Sequence, residues 1–412
     1  MSLYFCRSIG KDPFLGMVAS KRQVGRYERS TVAGEAVSAF IPDPLPPARP
    51  PLALPGDTLE RVRLAEQRLS RLELAGEMVP SLEWFIYAFV RKEAVVSSQI
   101  EGTQATLVDL LAYEAGAPAG GTGELTDDVQ EVSNYLAALA YARAQLRREK
   151  SLPLSTRLLN EAHHRLMKGV RGASKQPGEL RRSQNWIGGT RPGNAVFVPP
   201  PPQELGRLLS DLEKYIHRDH DLPPLVRAAL VHIQFETIHP YLDGNGRIGR
   251  LLITLLLEHW KLLSEPLLYL SLFFKRHRAE YYRLLNAVRV EGDWEAWVNF
   301  FLEGISTIAD EAADTARDLF VLVNKDRARV LSAHNASVMA ARLLDQLPRH
   351  PILTIPTIVK LLDTTKPTAA KAVGVLEQLG ILRETSGRRR DRTFSYAAYL
   401  DRLRAGTELQ ET

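Results

Sequence analysis

The chain has 412 residues and a net charge of +5. A single cysteine, Cys6, excludes an internal disulfide framework and a cysteine-rich zinc site. No apolar run is long enough to cross a bilayer, and residues 1–33 lack the apolar core of a signal peptide, so we expect a cytoplasmic protein with no membrane partner. The length predicts two or three domains, and the mildly basic charge permits nucleic-acid binding without requiring it.

The N-terminal part of the chain is predicted to change from extended chain to helix. Residues 1–33 show no clear hydrophobic period and are predicted to be a tail. Residues 39–51 are rich in proline, which predicts an extended arm, either a linker or a strap along the surface, and their interspersed apolar residues favour the strap. Helical spacing begins near Thr58, and a second helix, with Ser81 as its N-cap, is predicted to end at Gly102.

The middle of the chain is predicted to be helical apart from a loop over residues 115–125 and one β-like segment. In that segment, two short β-like runs between residues 178 and 202 flank Arg-Pro-Gly-Asn (191–194), which is turn chemistry. The pattern predicts a β-hairpin. Helices are predicted over residues 126–148, 155–167 and 202–217.

The chain is organised around residues 239–250, which read His-Pro-Tyr-Leu-Asp-Gly-Asn-Gly-Arg-Ile-Gly-Arg. The apolar segments on either side, residues 225–238 and 251–257, are long enough to be helices. Glycine and asparagine between them favour turns and positive φ, so the pattern predicts helix, tight loop, helix. The loop would lead into a helix N-terminus, where free N–H groups and the helix dipole form an anion site.

The residue types in this stretch fill every role needed for phosphoryl or nucleotidyl transfer. Arg247 and Arg250 share a helix face and offer two guanidiniums to a polyphosphate. Asp243 is a hard oxygen ligand suited to a phosphate-bound Mg²⁺, and His239 can take a proton near neutral pH. Each feature alone is more often a turn, a structural histidine or a solvated charge, but their joint occurrence favours catalysis.

The stretch resembles the signature of Fic-domain proteins, with Tyr241 in the aromatic third position where phenylalanine is more usual. Members of this family mostly move AMP from ATP onto a hydroxyl side chain of a protein. The resemblance implies that His239 deprotonates the target hydroxyl and that Asp243 holds Mg²⁺. It implies an ATP site made of Glu101, His239, Gly244, Asn245, Gly246, Arg247, Ile248, Gly249, Arg250 and Tyr282.

A second motif lies upstream, where Ser97-x-x-x-Glu101-Gly102 resembles the inhibitory motif that some Fic proteins carry ahead of the catalytic segment. Ser97 and Glu101 share a helix face by their spacing, although spacing alone equally suits a surface glutamate before a helix end. The resemblance implies that Glu101 pairs with Arg250, which would remove a partner of the γ-phosphate and repel the polyanion. We therefore expect Glu101 to be an autoinhibitory switch.

The predicted hairpin lies where Fic proteins carry a flap that holds the target segment by main-chain pairing, a role that suits an exposed edge strand. The resemblance implies target contacts at Gly188, Gly189, Thr190, Val196, Phe197 and Val198. Beyond the motif, residues 281–282 are a tyrosine pair. Tyr282 is expected to lie by the adenine, with Tyr281 as the second choice.

The C-terminal part resembles a winged helix-turn-helix domain. A long helix over residues 303–331 is followed by three shorter helices and a strand–loop–strand pattern around the basic residues 387–392. In that fold Lys366, Thr368, Lys371 and the loop arginines would face DNA. The small number of basic residues leaves open the alternatives that this part forms a homodimer or packs against the Fic domain.

The expected architecture is all-α, a mainly helical Fic fold with a small β-hairpin flap, plus a C-terminal winged helix-turn-helix. The expected divisions are a tail (1–33), an arm and helical region with the inhibitory motif (34–125), a Fic domain (126–332) and the winged helix (333–412). The leading hypothesis is a protein adenylyltransferase that uses ATP and Mg²⁺, modifies Ser, Thr or Tyr of a target protein and releases pyrophosphate.

Three alternatives stay open at this stage. Relatives transfer other phosphate-linked groups, and the reverse hydrolysis of the AMP ester could use Glu101 to orient a water. The third is a DNA-binding transcriptional regulator whose Fic core senses ATP. AMP transfer that requires His239 would separate the enzyme from the regulator.

Overall fold

The computed structural model describes residues 22–32, 34–77, 81–116, 123–149, 151–334, 337–388 and 390–409, and the fold is mainly helical, as predicted. The helices are α1 (Gly56–Glu77), α2 (Leu82–Ile100), α3 (Leu107–Glu114), α4 (Gly123–Arg147), α5 (Thr156–Leu166), α6 (Leu205–His217), α7 (Pro224–Ile238), α8 (Asn245–His259), α9 (Ser271–Arg276), α10 (Arg278–Glu291), α11 (Trp294–Ser332), α12 (Val338–Gln346), α13 (Ile355–Leu362), α14 (Lys366–Gln378) and α15 (Ala397–Leu403). The strands are β1 (Gly25–Val32), β2 (Glu35–Pro42), β3 (Ile352–Thr354), β4 (Arg383–Glu384) and β5 (Thr393–Ser395). None of the described helices is both long and apolar enough to span a membrane.

The core is built around α7 and α8. Residues 225–238 of α7 and 251–257 of α8 are buried throughout, which explains why apolar residues are not confined to one face of either helix. The long helix α11 packs beside α1, and the indole of Trp297 donates a hydrogen bond to the Ala229 carbonyl in α7 at 2.8 Å. Helix α11 begins at Trp294 and not near residue 303, because the aromatic run at 294–301 belongs to it. The loop between α7 and α8 is therefore held at the centre of a rigid helical body.

An antiparallel hairpin of β1 and β2 occupies residues 25–42, where the sequence predicted the end of a tail and the start of an arm. The strands pair from Gly25 opposite Pro42 to Val32 opposite Glu35. The tail prediction is wrong for residues 25–32, because side chains that alternate on either side of Gly34, which has a φ of +83°, favour a hairpin. Residues 1–21 of the predicted tail lie outside the described residues.

The proline-rich residues 43–55 run from β2 to α1 as a strap along the surface, as expected. The side chain of Gln234 in α7 donates to the Asp43 carbonyl at 2.9 Å, and Glu295 at the start of α11 accepts from the Ala53 N–H at 2.9 Å. The strap is thus anchored to α7 and to the start of α11.

The C-terminal part folds as helix, strand, helix, helix and a pair of strands. The three short strands form one antiparallel sheet in the order β3-β5-β4, and Thr354 and Thr365 cap the N-termini of α13 and α14. The last helix, α15, returns to α11, where Tyr396 donates a hydrogen bond to the buried Asp326 at 2.7 Å. The three helices and the final strand pair follow the order predicted from the sequence, whereas β3, where a break was predicted, and α15 were not predicted. The winged helix-turn-helix assignment itself stays a prediction.

The predicted flap differs from a regular hairpin. Within residues 183–200, a single antiparallel bridge joins Ile187 to Phe197, and a 3-10 turn spans Pro192–Asn194. Gly188 and Gly189 have φ values of +67° and +74°, so the backbone turns where the prediction had an extended strand. The prediction of two paired β-runs is wrong for this reason, because a left-handed glycine pair cannot continue a strand.

Candidate active site

The candidate site is the loop between α7 and α8, and its backbone is set by two left-handed residues. His239 ends α7 with φ 50° and ψ 62°, and Gly244 precedes α8 with a φ of 77°. Glycine tolerates this conformation freely, whereas histidine adopts it at a cost of about 1–3 kcal/mol, so the surrounding contacts must hold it. The left-handed turn lifts the histidine out of the helix and lets the chain reverse into the N-terminus of α8.

Asn245 fastens the loop from inside. Its side chain accepts a hydrogen bond from the Tyr241 N–H and donates one to the Tyr241 carbonyl, both at 2.8 Å. Asn245 is buried, as are Ile248 and Gly249. The side chains of Asn245 and Ile248 therefore serve the loop and the core, and within residues 244–246 it is the backbone groups that remain to bind phosphate.

His163 in α5 supports the same loop and was missed by the sequence reasoning. Its ring stacks on Tyr241 with centroids 3.9 Å apart, its Nδ1 accepts from the Gly178 N–H at 2.8 Å, and its Nε2 lies 3.0 Å from the Asp243 carbonyl. Burial lowers the pKa of His163 to about 4, so the ring is neutral and its Nε2–H donates to Asp243. The Tyr241 hydroxyl donates to Asn160 at 2.9 Å, which explains a tyrosine at this position.

Arg250 is held by the C-terminal end of α2. Its Nε donates to Ser97 Oγ at 2.9 Å, and its Nη2 donates to the Ser97 carbonyl at 2.9 Å and to Glu101 Oε1 at 2.6 Å. The pairing of Glu101 with Arg250 expected from the sequence is present. Gly102 follows with a φ of +99°, which ends the helix as predicted.

The Glu101 carboxylate also covers the N-terminus of α8. A methyl group added at Gly246 would collide with Glu101 Oε1, so the carboxylate lies directly against the first turn of the helix. Burial raises the pKa of Glu101, but the charge and hydrogen bond of Arg250 outweigh it and hold that pKa below its usual value. A charged carboxylate therefore occupies the position where an anion would meet the free N–H groups of α8.

Arg247 has a carboxylate partner of its own, which sequence reasoning missed. Its Nη1 donates to Glu131 Oε2 of α4 at 3.0 Å, and both side chains are 2% exposed. The same Glu131 oxygen accepts from Thr103 Oγ1 at 3.2 Å, two residues after Glu101. Asp243 lies 3.6 Å from Arg247. A signal was present in the sequence, since Glu131 falls among apolar residues on a face of α4 that is buried.

His239 is partly exposed, but its Nδ1 is shielded from water and, in the described part of the chain, lacks a hydrogen bond of good geometry. Burial and the charges of Arg289 and Arg181 lower its pKa to about 3, while the nearby Glu236 carbonyl opposes the decrease. The ring is therefore neutral at physiological pH and able to accept a proton. The Glu236 carboxyl, whose pKa burial raises to about 7, lies against Gly249 in the same region.

Asp243 fits the expectation of a single-carboxylate Mg²⁺ ligand. Its side chain is 40% exposed, and its Oδ1 accepts from the Gly244 N–H at 2.6 Å. The described residues contain no cluster of three or more metal-ligating side chains. Mg²⁺ does not need one, since it commonly binds through one or two carboxylates together with phosphates and water. The site suits an ion that arrives with its nucleotide.

The two tyrosines of α10 have different surroundings. Tyr281 is buried, and its hydroxyl lies 3.0 Å from His232 Nε2, so it belongs to the core. Tyr282 is 43% exposed, with the Arg278 guanidinium 5.7 Å from its ring centroid. Of the pair, Tyr282 is the one whose ring is exposed, and its place beside the adenine stays a prediction.

The residues predicted to contact a target along the flap are not equally accessible. Val198 and Phe197 are buried, and the Val198 carbonyl accepts from the Phe40 N–H of β2 at 2.9 Å. The edge that carries Val198 is therefore taken by the N-terminal hairpin. Val196 is 72% exposed, and Gly188, Gly189 and Thr190 line the opposite side of the flap.

Comparison with known proteins identifies two successive regions of one family. The model described as Fic/DOC family N-terminal matches residues 59–144, and the Fic/DOC family model matches residues 153–257. Protein adenylyltransferase Fic of Drosophila virilis is 29% identical over 238 residues, 57% of this chain and 44% of its own length. That of Drosophila melanogaster is 31% identical over 183 residues, 44% of this chain and 34% of its own. The chain thus spans less than half the length of these relatives.

Solved structures agree on the fold. A Fic family protein from Desulfovibrio desulfuricans is 23% identical with a TM-score of 0.54, over 84% of this chain and 98% of the other. A Fic domain containing signaling protein from Bacteroides thetaiotaomicron is 18% identical with a TM-score of 0.50, over 63% of this chain and 97% of the other. The two matched regions cover both sides of the site, from the helix that carries Glu101 to the loop and helix that carry His239 and Arg250, so the part of the chain that builds the site is similar to the Fic/DOC family.

Proposed function

We propose that this protein transfers AMP from ATP to the hydroxyl of a Ser, Thr or Tyr side chain on another protein, and that Glu101 restrains the reaction. The observation that carries the proposal is the Glu101 carboxylate, which lies between Arg250 and the first turn of α8. An anion site already occupied by the protein's own carboxylate is the arrangement expected of an inhibited polyphosphate site. Relatives named protein adenylyltransferase Fic support the choice of AMP transfer.

The proposed chemistry is one in-line substitution at the α-phosphorus. The target hydroxyl oxygen forms the new bond to phosphorus, its proton goes to His239, and the bond to the β-phosphate breaks so that pyrophosphate leaves. A neutral His239 is suited to this role, because an imidazole already protonated could not accept the proton. When bound, Mg²⁺ at Asp243 would neutralise part of the triphosphate charge.

The arginines have different tasks in this proposal. Glu101 is 32% exposed and contributes one oxygen to Arg250, so nucleotide or a movement of α2 can displace it. Arg250 would then bind the outer phosphates. Glu131 is 2% exposed and stays with Arg247, which keeps that guanidinium beside Asp243 and the phosphate end of the loop.

Two further assignments stay proposals of lower rank. The reverse reaction, removal of AMP from a modified protein, uses the same residues with Glu101 oriented toward a water. DNA contact by α14 and the loop before β5 would use Lys366, Lys371 and the exposed arginines at 388, 390 and 392, of which Arg392 already lies 3.3 Å from Glu377. The reverse reaction shares the site around His239, and the residues proposed for DNA contact form no site as complete as that one among the described residues.

The proposal is tested by incubating the Glu101→Gly variant with ATP and Mg²⁺ and measuring its intact mass. We expect a mass increase of one AMP per modified site, at a rate at least about tenfold above wild type, because a charge-assisted hydrogen bond contributes about 1.5–3 kcal/mol. The Glu101→Gly, His239→Ala double variant is the control and should lose the adduct, since a general base supplies about 10²–10⁴-fold. The proposal is contradicted if the Glu101→Gly protein gains no AMP adduct alone and if neither it nor the candidate target proteins gain one when they are incubated together.

A further inference from the structure

Arg181 is a buried arginine that contacts backbone carbonyls and, in the described part of the chain, no carboxylate. It is 1% exposed. Its Nε donates to the His239 carbonyl at 2.9 Å, its Nη2 to the Pro200 carbonyl at 2.5 Å, and its Nη1 to the Ser183 carbonyl at 3.3 Å. The Arg181 N–H donates to the Pro240 carbonyl at 2.9 Å. Burying a charge without a counter-ion costs free energy, so the Arg181 contacts differ from an ordinary structural salt bridge.

These carbonyls belong to the two parts that must meet in the reaction. The His239 and Pro240 carbonyls belong to the left-handed residue that presents the imidazole and to the residue directly after it. Ser183 and Pro200 are the two ends of the flap. One guanidinium therefore ties both ends of the flap to the backbone of His239.

We propose that Arg181 is the positioning residue that fixes the distance between His239 and a target segment carried by the flap, over residues 183–200. This inference rests on the proposed AMP transfer, because it concerns the base of that reaction and its hydroxyl substrate. A misplacement of about 1 Å between reacting groups costs about 10²-fold in rate. Arg181 donates directly to the carbonyl of the left-handed histidine, so a change at Arg181 acts on the residue whose conformation depends most on its surroundings.

The geometry requires arginine in particular. A guanidinium carries five donors in a fixed plane and reaches three carbonyls in different directions at once. A lysine keeps the charge but concentrates its donors on one atom, so it cannot hold both flap ends and His239 together. Arg181→Lys therefore keeps the positive charge and removes the set of hydrogen bonds to the carbonyls, so its effect reports on those hydrogen bonds.

The test compares Arg181→Lys and Arg181→Gln in the Glu101→Gly background, with Arg182→Gln as the matched control. Arg182 is the next residue, its side chain is 77% exposed, and it pairs locally with Glu179 at 2.8 Å. The measurements are kcat and KM for ATP in AMP transfer, ATP binding by calorimetry, thermal stability, and hydrogen exchange of the amides of Ile187 and Phe197.

We expect both Arg181 variants to lower kcat by about 100-fold while KM and Kd for ATP change by less than about threefold, with faster exchange of the two flap amides. Arg182→Gln should behave as its parent. The inference is overturned if Arg181→Gln retains kcat within about threefold, or if ATP binding and thermal stability fall in parallel with kcat, since that pattern belongs to a purely structural role. If the parent Glu101→Gly transfers no AMP, the proposed function fails. The inference is then tested separately by hydrogen exchange, and unchanged exchange of the two flap amides in Arg181→Lys would overturn it.

Discussion

At the residue scale, the site is controlled by two carboxylates that hold two arginines with unequal strength. Glu101 reaches Arg250 from the end of a helix and keeps 32% of its side chain exposed, whereas Glu131 and Arg247 are both 2% exposed. Removing one partner of a buried pair is strongly destabilising, while a partly exposed partner can exchange with solvent or ligand. In the proposed function, Glu101 is therefore the contact that a nucleotide would replace, and Glu131 is the one that would stay.

The pH dependence of transfer follows from His239. Its ordinary pKa is 6.5, and burial with the charges of Arg289 and Arg181 lowers it to about 3, so the basic form is present throughout the neutral range. We expect transfer by Glu101→Gly to show no loss centred near pH 6.5 as the pH falls, measured as initial rate against pH.

Glu236 is the neighbouring group that titrates in the same range, because burial raises its pKa to about 7. The Glu101→Gly, Glu236→Gln variant is therefore measured alongside. A loss of activity centred near pH 6.5 that persists in this variant would show that His239 has an ordinary pKa, against our account.

The sequence was sufficient for some residues of the site and silent on others, for a physical reason. The roles of residues within 239–250 depend on short spacings along one helix start, and the pairing of Glu101 with Arg250 was expected from the second motif. His163, Arg181 and Glu131 come from distant segments, and each is recognisable only from what it contacts. Sequence alone also assigned Asn245 to phosphate, whereas its side chain fastens the loop.

At the element scale, the flap is a weak element braced by another. The flap has one internal β-bridge, and the N-terminal hairpin supports it further. The Phe40 N–H donates a hydrogen bond to the Val198 carbonyl at 2.9 Å. Glu35 Oε2 accepts hydrogen bonds from the Gly193 N–H and from Arg191 Nη1, both at 2.8 Å. With β2 along the side of Val198, a target strand can add only to the side that carries Ile187 and Gly188.

Weakening this brace should loosen the flap. Glu35→Gln removes a charge that is partly exposed, so we expect a cost of about 1 kcal/mol and about fivefold faster hydrogen exchange of the Phe197 amide, with no change in α7. Glu28→Gln is the control. Glu28 lies on the same hairpin, and among the described residues its side chain accepts one hydrogen bond, from Gln203 at 3.4 Å. Equal exchange in Glu35→Gln and Glu28→Gln would show that the hairpin does not brace the flap.

Most of the helices were predictable because they carry an apolar stripe or a run of buried residues, whereas the short α15 was not predicted. The hairpin at residues 25–42 was missed, since no residue of β1 is buried and the buried residues of β2 end in a consecutive run over 39–42, so neither strand has a strict alternation of buried and exposed residues. The flap was predicted as strands because Ile187 and Phe197 are strand formers, and the left-handed Gly188 and Gly189 override that preference.

At the scale of the whole molecule, the C-terminal end returns to the inhibitory motif. The Gln99 side-chain amide donates to the carbonyls of Ala105 and Thr407 at 2.9 and 2.8 Å. The Lys275 ammonium donates to Gln99 Oε1 at 2.7 Å and to the Glu408 carbonyl at 2.6 Å. Gln99 lies two residues before Glu101, so the C-terminal segment helps to hold the end of α2 where Glu101 meets Arg250.

Loss of that contact should weaken the restraint. Gln99→Met keeps the volume and removes hydrogen bonds that contribute about 0.5–1.5 kcal/mol each, so we expect AMP transfer about threefold to tenfold above wild type. The effect should vanish in the Glu101→Gly background, because both changes act on one restraint. Gln104→Met, which loses only a local 3.0 Å contact with the Gly102 carbonyl, is the control. An equal increase by Gln99→Met in both backgrounds would rule out action through Glu101.

The contact between the C-terminal segment and the end of α2 could not be predicted from the sequence. Gln99 and Thr407 are separated by 308 positions, and neither is unusual in its local pattern. The division into a Fic region and a C-terminal region follows from local signals, whereas the packing of one against the other depends on complementary surfaces that sequence periodicity does not encode.

The most direct measurement of the central claim is a comparison of ATP labelled at the α-phosphate with ATP labelled at the γ-phosphate. Wild type, Glu101→Gly and His239→Ala are each incubated with one label and Mg²⁺, and protein-bound label is counted. We predict label from the α position only, raised in Glu101→Gly and absent in His239→Ala. Label from the γ position, or equal label in wild type and Glu101→Gly, would contradict AMP transfer under the control of Glu101.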